Sequence, residues 1–216
     1  MPAARTVDIP RVHAVTNDRI AQAPDFLSRA LAVMRALGPQ VAVHLRAHRM
    51  PSTDMLHLAE RLVEEQTASA SWLVVNDRLD IALAAGARGV QLTSKSMLVR
   101  DARTIAPGMA VGASVHDITE IECAALAGAD WAVAGNVFET ETHPGTAARG
   151  ADLIREMAAM DWLPIIAIGG VLPRHVPALL AAGAHGVAAI RGIWESGDAA
   201  HAAMQYLSSH DARGNS

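Results

Sequence analysis

The stretch Pro164-Ile165-Ile166-Ala167-Ile168-Gly169-Gly170 decides the fold, read with its echo Gly186-Val187-Ala188-Ala189-Ile190-Arg191-Gly192. Each is a short apolar run that ends in glycine, the form of a strand buried on both faces. Glycine lets backbone come close to a ligand, and consecutive N–H groups turned the same way make an anion-binding concavity. Two such turns after the last two strands of a parallel barrel form a phosphate site common in (β/α)8 enzymes. Either pair of glycines taken alone is also what a tight turn uses.

Working outward, the same alternation recurs along the chain. Apolar strands are expected at Val12–Thr16, Val41–Leu45, Trp72–Val75, Gly89–Leu92, Met109–Ala113 and Trp131–Ala134, ahead of the two already quoted. Helical spacing follows each, at Asp25–Leu37, Met55–Glu65 (opened by Pro51-Ser52-Thr53), Arg78–Ala85, Ser96–Ile105, Asp117–Ala127, Ala151–Met160, Pro173–Ala182 and Asp198–Leu207. A tag of the form Ala-x-Ala-Gly-Ala or Ala-Ala-Gly-Ala precedes three strands, around Gly86, Gly128 and Gly183, where a helix ends through glycine into the next strand. Eight strand–helix units predict an α/β fold, a single-domain (β/α)8 TIM barrel. An open doubly wound sheet is the alternative, but no G-x-G-x-x-G follows the first strand. The barrel is expected over 12–208, with 1–11 an N-terminal extension and 209–216 a polar, disordered tail.

Composition agrees. Of 216 residues 51% are hydrophobic and only 3% aromatic, which suits an aliphatic core of small residues. A net charge of −4 without a basic block speaks against nucleic acid. No apolar run is long enough for a signal peptide or a membrane span, so a cytoplasmic protein without a membrane partner is expected. The single cysteine, Cys123, is expected to be a buried small hydrophobe. Apolar residues near Trp194 and Met204 would serve a homodimer, although a core helix reads the same.

In a barrel, chemistry is collected after the strands. Those positions hold Thr16-Asn17-Asp18, Arg46-Ala47-His48, Asn76-Asp77-Arg78, Thr93-Ser94, Ser114-Val115-His116, Gly135-Asn136, Gly169-Gly170 and Arg191-Gly192. His44 and Gln91 lie within strands, where alternation places some side chains inside the barrel. His116 is the acid–base candidate, with capping of the next helix as its plain alternative. Arg46 offers a planar fork to a carboxylate or phosphate, or else pairs with Asp77. Asp77 reads by default as a helix cap, and His44, His48 and His143 show no zinc spacing.

Taken in order, HAVTNDR, HLRAHRMP, VVNDRLDIALAAGARGVQL, VGASVHDITE, GNVFETETHPG, PIIAIGG and GVAAIRGIW resemble the thiamine phosphate synthase/TenI superfamily over about residues 12–208. The resemblance implies phosphorylated thiamine precursors as substrates, with phosphate held at Gly169, Gly170, Ile190, Arg191 and Gly192. The synthases need Mg2+ and supply two aspartates for it. The first matches Asp77, while the second reads Ser96 beside Lys95. The family's Q-x-R-x-K element reads His44-Leu45-Arg46-Ala47-His48, and its T-x-T-K clamp reads Thr140-Glu141-Thr142-His143.

A hard divalent ion loses binding when a carboxylate goes and an ammonium arrives, and histidine does not replace lysine's charge at neutral pH. These departures resemble the TenI branch. The expectation is therefore a thiazole tautomerase with no metal and no cofactor, acting on a phosphorylated thiazole. In it His116 shuttles the proton, Arg46 clamps the carboxylate, and Asn76, Gln91, Ser114, Thr140 and Thr142 complete the substrate site. The alternatives are a divergent Mg2+-dependent thiamine phosphate synthase and a non-catalytic regulator that binds thiazole phosphate.

Overall fold

The computed structural model describes residues 7–138 and 149–211. Its eight strands are β1 (Val12–Val15), β2 (Val41–Leu45), β3 (Trp72–Asn76), β4 (Gly89–Leu92), β5 (Ala110–Val115), β6 (Trp131–Ala134), β7 (Ile165–Ala167) and β8 (Gly186–Ala189). All pair in parallel with their sequence neighbours. Val12, His13 and Ala14 of β1 then pair with Val187, Ala188 and Ala189 of β8, which closes the barrel. The single-domain (β/α)8 expectation holds.

Between the strands run α1 (Asp18–Ala21), α2 (Phe26–Leu37), α3 (Ser52–Ser69), α4 (Leu79–Ala85), α5 (Val99–Ile105), α6 (Ile118–Leu126), α7 (Gly150–Ala158), α8 (Val176–Ala181), α9 (Arg191–Trp194) and α10 (Ala199–Asp211). Two of these, α1 and α9, are single turns too short to leave a periodic signal; Asn17 caps α1 by accepting from the Ile20 N–H at 2.9 Å. The last helix continues past Leu207 to Asp211. Asp25 precedes α2 without a side-chain cap bond, whereas Asp117 caps α6 by accepting from Glu120 N–H. The glycines of the repeated tag, Gly86, Gly128 and Gly183, all take positive φ as each helix turns into its strand. No described helix is long and apolar enough to cross a membrane.

Two cores follow from the strands' alternation. One lies between sheet and helices, where Leu45, Leu73, Val75, Val111 and Ala134 face Phe26, Met34, Leu62, Ile121 and Met157. The other fills the barrel itself with Val15, Ala42, Trp72, Val74, Ala110, Trp131, Val133, Ile166 and Ala188. Cys123 belongs to neither and is exposed: α6 buries Ile121 and Ala124, which leaves position 123 on the outer face, contrary to the expectation of burial.

Trp131 fits inside because β5 carries no side chain at Gly112. A Cβ there would collide with the Trp131 ring and with Gln91 Oε1. Trp131 meets Trp72 edge to face, with centroids 6.2 Å apart. Overpacking of this kind costs about 1–3 kcal/mol. Gly112→Ala should lower the urea midpoint accordingly; an unchanged midpoint would mean that Trp131 can withdraw from β5 without loss.

Candidate functional site

The C-terminal ends of the strands bring the sequence-nominated groups to one mouth. Arg46 follows β2, where its N–H donates to Thr16 Oγ1 at 2.9 Å and its carbonyl accepts from the same hydroxyl at 3.1 Å. This reciprocal bond ties the end of β2 to that of β1. The Arg46 guanidinium is half-buried and has no ion-pair partner among the described residues, so the pairing with Asp77 does not form.

Asp77 is held otherwise, with φ +62°. Its Oδ1 accepts from the Thr93 N–H at 3.3 Å, from Thr93 Oγ1 at 2.9 Å and from Ser96 Oγ. Its Oδ2 faces His48 Nδ1 at 4.0 Å. Residue Arg78 stands at the N-cap of α4 without a side-chain cap bond, so Asp77 is not a helix cap. The reason is register: Asn76 pairs with Gln91, which sets Asp77 beside the loop that follows β4.

This donor set does not fit a magnesium site of two carboxylates. One Asp77 oxygen is spent on three donors, the hydroxyl at position 96 is itself one of them, and the remaining oxygen is faced by an imidazole. Replacing Ser96 by aspartate removes a donor and sets two carboxylates side by side. Ser96→Asp should lower the melting temperature in EDTA and regain it in millimolar MgCl2. A melting temperature indifferent to Mg2+ would show that the second carboxylate alone does not make a site.

His116 lies between β5 and α6 on an exposed rim. Glu120 Oε2 accepts both from the His116 N–H at 2.6 Å and across 2.9 Å from His116 Nδ1, while Asp117 Oδ1 accepts from Glu120 N–H at 2.9 Å. This is a reciprocal cap of α6. Gln91 of β4 and Ser114 of β5 meet inside the mouth, the amide nitrogen donating to Ser114 Oγ at 3.1 Å; Gln91 Oε1 is buried with no partner among the described residues.

Gly169 and Gly170 take φ +105° and +62°. Neither of their N–H groups has an acceptor among the described residues, whereas the carbonyls of Ile168 and Gly169 accept from Val137 and Phe138 at 3.0 and 2.9 Å. A Cβ at position 169 would strike the Asn136 side chain. The turn is thus held from the β6 side, and two consecutive donors stay clear of every described acceptor, a geometry suited to anions. Ile190 precedes α9, and Arg191 and Gly192 form its first turn. Thr140, Thr142 and His143 lie outside the described residues.

Sequence reasoning missed one feature of the interior. His13 of β1 and His44 of β2 are both buried, and His13 Nδ1 stands 2.8 Å from His44 Nε2. The chain continues from His44 Nδ1 to the Asn76 carboxamide at 3.2 Å, and from His13 Nε2 to Pro10 O at 3.1 Å. Burial pushes the His44 imidazole down to about 4 and holds His13 well below its ordinary value. Strand parity was the available signal, since His13 and His44 occupy inward positions of adjacent strands.

Fold and mouth together define the class: a (β/α)8 barrel whose polar groups converge at the C-terminal ends of its strands. The chain belongs to the thiamine monophosphate synthase family, whose model matches residues 12–193. It is 36% identical over 197 residues to a thiamine-phosphate synthase of Methanoculleus marisnigri, covering 89% of this chain and 91% of that one. It is 31% identical to a thiamine-phosphate synthase of Pyrococcus horikoshii over 87% of this chain and 88% of that one. A solved thiamine phosphate pyrophosphorylase of Pyrococcus furiosus superposes with a TM-score of 0.82 at 27% identity, covering 94% of this chain and 96% of that one.

These relatives overturn the tautomerase expectation and its class, isomerase. The two curated relatives are named as synthases, which are transferases, and the solved structure as a thiamine phosphate pyrophosphorylase. The physical reason is that a missing metal ligand or lysine tells what a site lacks, not which reaction replaces the old one. At position 96 the serine hydroxyl simply donates to Asp77.

Proposed function

We propose that the protein is a thiamine-phosphate synthase, joining a pyrimidine carried as its diphosphate ester to a thiazole phosphate. The bond formed is from the thiazole ring nitrogen to the pyrimidine's methylene carbon, and the bond broken is from that carbon to the diphosphate oxygen. The observation that carries the reading is 36% identity, over 89% of the chain, to a protein of that name. The mouth supports it: among the described residues the Gly169 and Gly170 N–H groups on one side have no acceptor and the Arg46 fork on the other has no ion-pair partner.

Under this reading Gly169, Gly170, Ile190, Arg191 and Gly192 hold the thiazole phosphate. Arg46, Asn76 and His48 take the diphosphate, with Thr140 and Thr142 assigned to it through their place in the family's T-x-T-K clamp. Gln91 and Ser114 orient a ring between the two anions. Departure of the diphosphate concentrates charge on the breaking bond's oxygen, and fixed donors aimed there accelerate it. Holding both substrates in one cleft supplies the rest by proximity.

The test is direct. Purified protein is given the pyrimidine diphosphate and the thiazole phosphate, with and without MgCl2, and thiamine phosphate is followed by its conversion to the fluorescent thiochrome ester. Product in either condition is expected, and no product in both would overturn the reading.

A further inference from the structure

The chain Pro10 O, His13, His44, Asn76 can be satisfied in only two ways. A carbonyl oxygen only accepts, so His13 Nε2, 3.1 Å from Pro10 O, must carry a proton. If both rings are neutral, His13 Nδ1 is bare and accepts from His44 Nε2–H across 2.8 Å. His44 Nδ1 is then bare as well and needs a donor from Asn76, so the carboxamide must turn from the orientation of the structure, in which Oδ1 stands 3.2 Å from His44 Nδ1, to present its nitrogen inward and its oxygen toward the mouth. If the pair carries one extra proton, His13 donates through both nitrogens and His44 Nδ1–H donates to Asn76 Oδ1 at 3.2 Å. The carboxamide nitrogen then faces the mouth. Each of the other neutral arrangements sets two lone pairs against each other, at Pro10 or between the rings, in a buried place where a lost hydrogen bond is costly.

We propose that the His13–His44 pair takes up one proton as an anion seats at the barrel mouth, with Asn76 coupling the two events by turning its carboxamide. An anion favours the state with the amide N–H outward and a positive charge beneath it. The anion is the diphosphate if the proposed function is right. The buried pair thereby supplies a positive charge at the mouth of a chain whose positions 48 and 143 hold histidine instead of the family pattern's lysine.

The surroundings allow both states. Asn76 of β3 and the Trp131 ring of β6, 6.2 Å from His13, are neutral, as are Gln91 of β4 and Ser114 of β5. His185, ahead of β8, is a further titratable group that acts on His13; it is hydrogen-bonded to Ile9 O at 2.8 Å and to Arg11. Asp77, next after Asn76, is turned to Thr93 and Ser96. No carboxylate hydrogen-bonds either ring among the described residues, and burial keeps the free pair neutral at pH 7.

The experiment uses the full chain labelled with 15N-histidine and inorganic diphosphate as the probe. Without diphosphate at pH 7, both rings should show a protonated Nε2 and a bare Nδ1. At saturation, both Nδ1 atoms should be protonated and His44 Nε2 bare, a net gain of one proton by the pair. Diphosphate affinity should also fall about tenfold per pH unit more steeply in the wild type than in a His13→Phe/His44→Gln double variant. That variant, measured over the same pH range, subtracts the ligand's own titration. Diphosphate binding with unchanged ring nitrogens, or with equal pH slopes, would overturn this inference and leave the synthase reading standing. Absence of diphosphate binding would overturn both. Should the double variant not fold, the wild-type spectra decide.

Discussion

Replacing Arg46 by alanine is expected to lower kcat/KM for the condensation by about 100- to 1000-fold, the range for removing one donor aimed at developing charge. The backbone of Arg46 is fixed by the double hydrogen bond with Thr16, so the substitution leaves the end of β2 in place. Its guanidinium has no described ion-pair partner whose desertion would destabilise the fold. The melting temperature should therefore hardly change, as for other substitutions that break no buried network. Arg46→Lys should recover only part of the rate, because a point charge does not reproduce a planar fork. Measurement of initial rates for the two variants checks this, and a loss of less than threefold in Arg46→Ala would place the departing anion elsewhere.

The second large effect is on stability against acid. The ordinary imidazole value of 6.5 applies to the unfolded chain, and burial brings His44 down to about 4 in the fold. Below pH 6.5 the unfolded chain binds a proton that the folded chain refuses, so stability is full above that pH and declines as pH falls toward 4. His44 alone accounts for about 3 kcal/mol across this window. His13, also lowered, acts in the same direction. Urea unfolding at pH 7, 6, 5 and 4.5 should show the decline. The His13→Phe/His44→Gln double variant should lose most of it and retain the share of His185, which burial also lowers. An equal decline in both proteins would assign the acid sensitivity to other groups.

Legibility of the fold rested on local signals that survive in a linear chain. Short apolar runs, glycines closing helices around Gly86, Gly128 and Gly183, and strand–helix alternation leave little freedom once eight units are counted. Boundaries slipped where context extends an element. Asn76 is the last residue of β3 because the ladder with Gln91 continues, and α3 runs on to Ser69. The mouth was legible too, since positions after strands are fixed by topology. The reaction was not. Substituted ligands were read as a change of chemistry, whereas 36% identity across most of the chain carried the relatives' name against it.

By itself, then, the sequence determined the (β/α)8 architecture, the end of the barrel at which Arg46, Asn76, Gln91, Gly169 and Gly170 gather, and the superfamily. Those depend on periodicity and order, which are one-dimensional. Tertiary structure decided that Asp77 binds Thr93 and Ser96 instead of capping α4, that His116 is held by the Glu120 carboxylate while Asp117 caps α6, and that His13 and His44 meet inside the barrel. Each of these depends on which side chains adjoin across strands or within a turn. A hydrogen bond is decided within a few tenths of an ångström, a precision that only the closed barrel supplies.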